Sequence, residues 1–338
     1  MLAGVDVVLM GAGIPREIPR ALDQLAEGRP AAIRLEVEGD HSGVSEHVTL
    51  DPREVAGEEA PPVRRPRFLP IVSSSSLAAL LVKKSQGGVS GLVIEGSTAG
   101  GHNTPPRGAE RRNQRGEPLY GERDEVDLAP LRDLGVPFWL AGGAGTPSGF
   151  DAACAGGAAG IQVGTLFALC RESGLASDLR RRILAAAAGG ELDVFTDPAA
   201  SPTGFPFKIL ALDGTLSDSE RFAARRRICD LGYLAVPYRR PDGALGYRCA
   251  AEPLAPFIAK GGDAEATRGR MCLCNGLLAT AGHPQIRREG RPELPIVTSG
   301  TELKALADLS SGGSDYSAVD VISYLLAGQR SSATNAPT

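Results

Sequence analysis

The sequence predicts an α/β fold built on a parallel sheet, and two observations predict it. Five short runs are mostly apolar rather than alternating, as strands buried on both faces are: VDVVLM (5–10), RFLPIVS (67–73), GLVIEG (91–96), PFWLAGG (137–143) and GIQVGTLF (160–167). Helical patterns at 16–27, 75–84, 127–134 and 147–156 fall between them, so strand and helix alternate and call for parallel pairing with right-handed crossovers. A (β/α)8 barrel and a doubly wound sheet both satisfy this pattern. Trp139 reads as core within the fourth run, and Cys154 and Cys170 read as core in or beside helices.

Composition narrows the function. The 338 residues are 42% apolar with a net charge of −4, enough for a sizeable core and without a basic face for nucleic acid. The arginine triplets at 180–182 and 225–227 are expected on solvated helix faces. No apolar run approaches the ~18 residues of a membrane span. MLAGVDVVLM has neither the basic region nor the cleavage site of a signal peptide, so a cytoplasmic protein is expected.

In chain order, GAGIPREIP (11–19) follows the first run. It has two glycines of a dinucleotide loop but Arg16 in place of the third. A tight turn into a helix, with Pro15 near its first position, accounts for it. Residues 29–66 interrupt the alternation with a possible hairpin, AAIRLEVEG then HVTLDP. Residues 103–126 form a long polar loop, a lid or a disordered segment. Past about residue 215 strands become hard to find. SAVDVISYLLAG (317–328) predicts a final helix with Ser317 and Asp320 as a capping pair. The expected organisation is a β/α portion at 1–215, a cysteine-containing extension at 216–328 and a disordered tail at 329–338.

Candidate chemistry gathers at strand ends. His102, one of four histidines, lies in VIEGSTAGGHNTPPRG (93–108), where Gly100 and Gly101 leave room for a flat ligand. In LAGGAGTPSGFDAACAGGAAGIQVGTLF (140–167), two successive strands end in Gly142-Gly143 and Gly164-Thr165. Glycine amides and a following helix N-terminus suit a phosphate there. Lys208 is a possible anion contact. Cys229, Cys249, Cys272 and Cys274 read as buried thiols or as a thiolate metal or iron–sulfur site, although their spacing departs from the usual paired C-x₂₋₄-C.

The order GAGIP, VIEGSTAGGHN, WLAGGAGT, IQVGTLF, SPTGFPFK resembles the nitronate monooxygenase (2-nitropropane dioxygenase-like) family over about residues 4–210. AGGH at 99–102, AGG at 141–143 and QVGT at 162–165 are the most specific matches. SPTGFPFK, RICDLGYL and CLCNGLLA are similar to a longer subgroup with a C-terminal extension. The resemblance implies an FMN-dependent (β/α)8 barrel that oxidises alkyl nitronates with O2 to carbonyl compounds and nitrite. It implies His102 as the catalytic residue, acting as base or as hydrogen-bond partner of the nitro group. It implies FMN contacts from Ser73, Gly100, Gly101, Gly142, Gly143, Gln162, Gly164 and Thr165.

Within the resemblance, AGGH belongs to strand six and the phosphate pair to strands seven and eight. VDVVLM is then strand four, and strands one to three have no counterpart. A barrel incomplete at its N-terminus is expected, unless 29–66 or the C-terminal segment supplies replacement strands. Two other functions remain open: a related FMN barrel reducing enoyl thioesters with NAD(P)H, and an inactive partner or scaffold chain that associates through its cysteine segment.

Overall fold

Apolar runs assemble the sheet on which the rest of the chain is laid; the first of them, expected to be buried on both faces, has no buried residue and leaves Leu9 exposed. The computed structural model describes residues 1, 3–11, 13–39, 45–57, 63–288, 290–310 and 315–328. Its first part comprises β1 (Val7–Met10), α1 (Ile18–Ala26), β2 (Ala31–Leu35), β3 (Glu46–Leu50), α2 (Pro52–Ala56), β4 (Arg67–Val72), α3 (Ser75–Lys84) and β5 (Leu92–Glu95). Then follow α4 (Ala129–Arg132), β6 (Phe138–Ala141), α5 (Pro147–Ala155), β7 (Gly160–Gln162), α6 (Thr165–Ala168) and α7 (Ser177–Ala188). The remainder comprises β8 (Val194–Asp197), β9 (Phe207–Leu210), α8 (Ser219–Ala224), β10 (Val236–Arg239), β11 (Leu245–Arg248), α9 (Leu254–Ala259), α10 (Leu273–Thr280), α11 (Lys304–Leu309) and α12 (Ala318–Leu325).

The five expected strands form one parallel sheet in the order β1-β4-β5-β6-β7. Successive side chains of a strand point to opposite faces. Leu92 and Ile94 accordingly join Val72, Leu81, Leu131 and Phe138 under the helices, while Val93 packs with Leu69 and Ala141 on the other face. Trp139 explains two glycines: a Cβ at Gly91 would lie 2.7 Å from its ring, and one at Gly160 would lie 3.1 Å away. Cys170 is buried and Cys154 half-buried.

Helix entry follows side-chain chemistry. Ser74 caps α3 by accepting from Leu77 N at 3.1 Å, and Thr146 caps α5 by accepting from Gly149 N at 3.0 Å. The expected Ser317–Asp320 capping box opens α12. At α1 the expectation shifts: Pro19, not Pro15, occupies the first turn, and Glu17 is the N-cap. Ala12 of the same turn, and the tail at 329–338, lie outside the described residues.

The hairpin expected in 29–66 is β2–β3, antiparallel. Two further hairpins, β8–β9 and β10–β11, lie where no strand was expected. None of the three joins the five-stranded sheet, so none serves as replacement strands. Among the described residues, β1 and β7 pair on one side only. The hairpins are short and weakly apolar; antiparallel partners, not burial on two faces, hold them. Glu38 N donates to Pro237 O at 2.9 Å and Arg239 pairs with Glu46 at 2.9 Å, which ties β2–β3 to β10–β11.

Cores cross residue 215. Leu166, Ile183, Leu184 and Leu210 pack with Val297, Leu306, Tyr316 and Val321, and Phe207 and Ile209 pack with Leu273 and Ile296. Arg181 and Arg182 on α7, and Arg226, are exposed as expected, but the other arginines of the two triplets are not solvated. Arg180 is buried, reaches Asp315 at 3.1 Å and donates to the carbonyls of Cys170 and Arg171. Arg227 donates to the carbonyls of Glu252, Thr267 and Ala250. Among the described residues no helix is long and apolar enough to cross a membrane.

Glu293 anchors the returning C-terminal chain. Its side chain is 3% exposed and takes a bidentate pair from Arg225 at 2.7 and 2.8 Å, with Arg287 on the same carboxylate. Burial works to raise its pKa, but the two guanidinium groups win and hold it below the ordinary glutamate value. The pairs therefore stabilise the fold above that ordinary value, and the contribution is lost as pH falls through the folded pKa. Glu293→Gln leaves Arg225 buried and unpaired, so urea unfolding at neutral pH is expected to show a loss of about 3–5 kcal/mol. The difference from the unaltered chain shrinks in acid.

Candidate active site

The carboxyl ends of β5, β6 and β7 open into a cleft of about 330 Å³. Glu95, Gly100, Gly101, Gly142, Gly143, Gln162, Gly164 and Thr165 line it, with Thr298–Gly300 and Glu302 opposite. Seven of the eight expected cofactor contacts thus share one cavity. Ser73 does not: it lies in a chamber of about 20 Å³ with Glu95, Asn103, Thr104, Arg107, Tyr120 and Asp124. There its hydroxyl accepts from Thr104 Oγ1 at 2.9 Å, and Arg107 donates to its carbonyl.

The glycines differ in what they do. Gly142 and Gly143 have φ of +82° and +75°, and a Cβ at Gly142 would meet Ala99 N at 2.8 Å. Gly164 faces open space, with nothing within 4 Å of a Cβ. Gly100 does not clear room for a ligand: a Cβ there would lie 2.7–2.8 Å from the Ser299–Gly300 backbone. Gly101 commits both backbone groups to the protein, donating to Thr298 Oγ1 at 2.8 Å and accepting from Lys208 N at 2.9 Å.

A strap from the C-terminal region explains this. Leu210 N donates to Val297 O at 2.9 Å, Gly300 N to Thr165 Oγ1 at 3.0 Å and Thr301 N to Thr98 O at 3.1 Å. Thr165 keeps its hydroxyl proton to donate into the cleft. Gln162 Oε1 is buried and accepts no hydrogen bond. A buried amide oxygen left without a donor costs about 1–3 kcal/mol, and a ligand bearing an N–H or O–H would recover it.

His102 lines neither cavity. Its Nε2 lies 2.7 Å from Ser201 Oγ, its ring meets Phe207 edge-on at 4.9 Å, and burial pushes its pKa below the ordinary imidazole value. Lys208 is 1% exposed. It donates from Nζ to Ser97 O at 2.7 Å and Asn103 Oδ1 at 2.6 Å, and burial lowers its pKa to about 8. Glu95, at the end of β5, belongs to both cavities. Burial raises its pKa to about 7 against the pull of Lys208. Burial also raises Tyr120 to about 12, with help from Asp124 and Glu95.

Glu95, Asn103, Ser201 and the strap were not singled out in the sequence. A carboxylate ending an otherwise apolar strand was the available signal for Glu95; the strap left none. The loop at 103–126 is pinned rather than free. Arg107 N donates to Asp124 at 2.8 Å, Tyr120 Oη to Thr104 O at 3.1 Å and Thr196 N to Glu117 Oε1 at 2.9 Å. Cys249 and Cys272 pack with Cys229 and Cys274 in one cluster, the Cys229 thiol hydrogen-bonded with those of Cys249 and Cys272. No group of three or more metal-ligating side chains among the described residues is arranged to hold a metal ion.

Gly100→Ala is expected to push the strap off and cost about 1–3 kcal/mol in thermal or urea unfolding. Gly164→Ala meets open space and should change stability by no more than about 0.5 kcal/mol in the same assay.

Residues 59–196 match the family model described as nitronate monooxygenase. No curated protein matches the chain. Among solved structures, the chain is similar to the enoyl reductase domain of MlnA from the macrolactin biosynthesis cluster of Bacillus amyloliquefaciens. The two share 13% identity with a TM-score of 0.51, over 98% of this chain and 78% of that one. It is also similar to FabK from Thermotoga maritima (18% identity, TM-score 0.47, 98% and 70% covered) and to a nitroalkane oxidase from Streptomyces ansochromogenes (16%, 0.44, 97% and 80%). The likeness to the MlnA domain is one of fold.

Proposed function

We propose that this chain, whose residues 59–196 match the nitronate monooxygenase family model, is an FMN-dependent oxidoreductase of that family. In this reading it converts alkyl nitronates and O2 to carbonyl compounds and nitrite. The observation that carries the reading is the convergence of Gly142, Gly143, Gln162, Gly164 and Thr165 on one cleft.

The donor set fits FMN. The lining contains no lysine or arginine, so an anionic phosphate there relies on backbone amides and the Thr165 hydroxyl. Gly164, with open space where a Cβ would stand, lets a ligand approach the backbone closely, and the unpartnered Gln162 Oε1 can accept from a ring N–H. When bound, FMN supplies electron chemistry that side chains lack.

This chain's residues bind and orient. Ser201 engages His102 Nε2 and the ring lines neither cavity, so the histidine fixes the turn beside the cleft. Burial holds its pKa below the ordinary imidazole value, which disfavours a charged ring beside Ser201 and Phe207. Lys208 and Asn103 stiffen the turn that carries His102.

The purified chain is expected to carry flavin and to release nitrite from propyl-2-nitronate with O2 uptake and no NAD(P)H. Colourless protein, or flavin bleached by NAD(P)H under anaerobic conditions without nitrite release, would falsify the nitronate reading. The second result identifies an enoyl-thioester reductase. Gln162→Leu removes the unpaired oxygen, so urea unfolding of the flavin-free protein should show equal or higher stability. Flavin affinity measured by fluorescence should fall about tenfold, the equivalent of one hydrogen bond.

A further inference from the structure

We propose that Glu95 is a general base of the cleft: its carboxylate takes the α-proton of a neutral nitroalkane and passes it to a single water in the small chamber behind it. The inference rests on the nitronate reading and extends it to the protonated form of the substrate, which must lose a proton before oxidation.

Geometry carries the assignment. Glu95 ends β5 in register with Ala141 and is the side chain that both faces the 330 Å³ cleft and, with Ser73, Asn103, Thr104 and Tyr120, lines the half-open 20 Å³ chamber. That volume suits one water, and hydroxyl and amide groups offer the partners such a water needs. A carboxylate between a substrate-sized cavity and a water-sized polar one can load on one side and unload on the other.

The step balances without an oxidant. The C–H bond next to the nitro group breaks, and its electron pair moves onto the nitro oxygens to give the nitronate. The new O–H bond forms on Glu95, and the proton then leaves through the water.

The other titratable groups are worse placed. His102 reaches neither cavity, has Nε2 engaged by Ser201 and is a weakened base. Lys208, on β9, is committed to Ser97 O and Asn103 Oδ1 and acts on Glu95 through its charge. Tyr120, Asp124 and Arg107 face Glu95 from the 103–126 loop, and Glu302 faces it from the strap side of the cleft. Glu117 acts on Lys208. Half-buried among them, Glu95 has a pKa near 7, where a general base works best at neutral pH.

The test follows exchange of the nitroethane α-proton for solvent deuterium by NMR with the full chain. Exchange needs no oxidation, so a failure of the nitronate reading leaves this measurement intact. The chain is expected to accelerate exchange, with a rate that rises with pH through about 7 as the carboxylate form takes over. Glu95→Gln should lower the catalysed rate about 100-fold or more and remove that limb, while Glu95→Asp recovers part of the rate. Infrared titration should show a carboxyl band with a midpoint near 7 that is absent in Glu95→Gln. Lys208→Met should move that midpoint upward, because a cation that favours the carboxylate is gone. Exchange in Glu95→Gln as fast as in the unaltered chain, or exchange abolished by His102→Ala with Glu95→Gln still active, overturns the proposal. So does a chain that does not accelerate exchange at all.

Discussion

The backbone of Thr298–Thr301 lies across the carboxyl ends of β5 and β7, held by Gly101 N on Thr298, Thr165 Oγ1 on Gly300 and Thr98 O on Thr301. Each bond joins a residue of the parallel sheet's loops to one far along the chain. The strap makes Gly100 obligatory, because the Ser299–Gly300 backbone takes the space a side chain would fill. It also forms the wall opposite Gly142, Gly143 and Gly164, so the cleft exists only once the C-terminal region has returned. The Glu293 carboxylate, buried against Arg225 and Arg287, anchors the chain just before the strap.

Electrostatics in the site follows from the same closure. Lys208 on β9 is brought beside the β5 loop through Lys208 N on Gly101 O, and its ammonium is then buried. Burial pushes the Glu95 and Lys208 pKa values toward each other, to about 7 and about 8. Two groups that would be fully charged on a surface are poised near neutrality here. Glu95 keeps access to both cavities while Lys208 is enclosed and acts on the carboxylate through its charge.

Legibility in the sequence tracked how each element is stabilised. Strands β4, β5 and β6 were readable because burial on both faces demands continuous apolar runs; β1 is as apolar, yet none of its residues is buried and Leu9 is exposed. Ser317 and Asp320 were readable because a capping box is local. The hairpins β8–β9 and β10–β11 were not, since their residues are mixed and their partners supply the order. Arg180 and Arg227 departed from expectation for a related reason. A guanidinium looks solvated in sequence, but Arg180 and Arg227 spend their donors on carbonyls that only tertiary packing brings near.

The sequence by itself determined where the five parallel strands lie along the chain and the glycine-rich strand ends at 100–101, 142–143 and 164. These depend on local periodicity and on backbone conformations that few residues allow. Only the tertiary structure decided which of those glycines faces a cavity and which meets another backbone. It also decided that His102 turns toward Ser201 while Glu95 meets the cleft. The physical reason is distance along the chain: Gly101 and Thr298 are 197 residues apart, and no period in the sequence records a contact of that span.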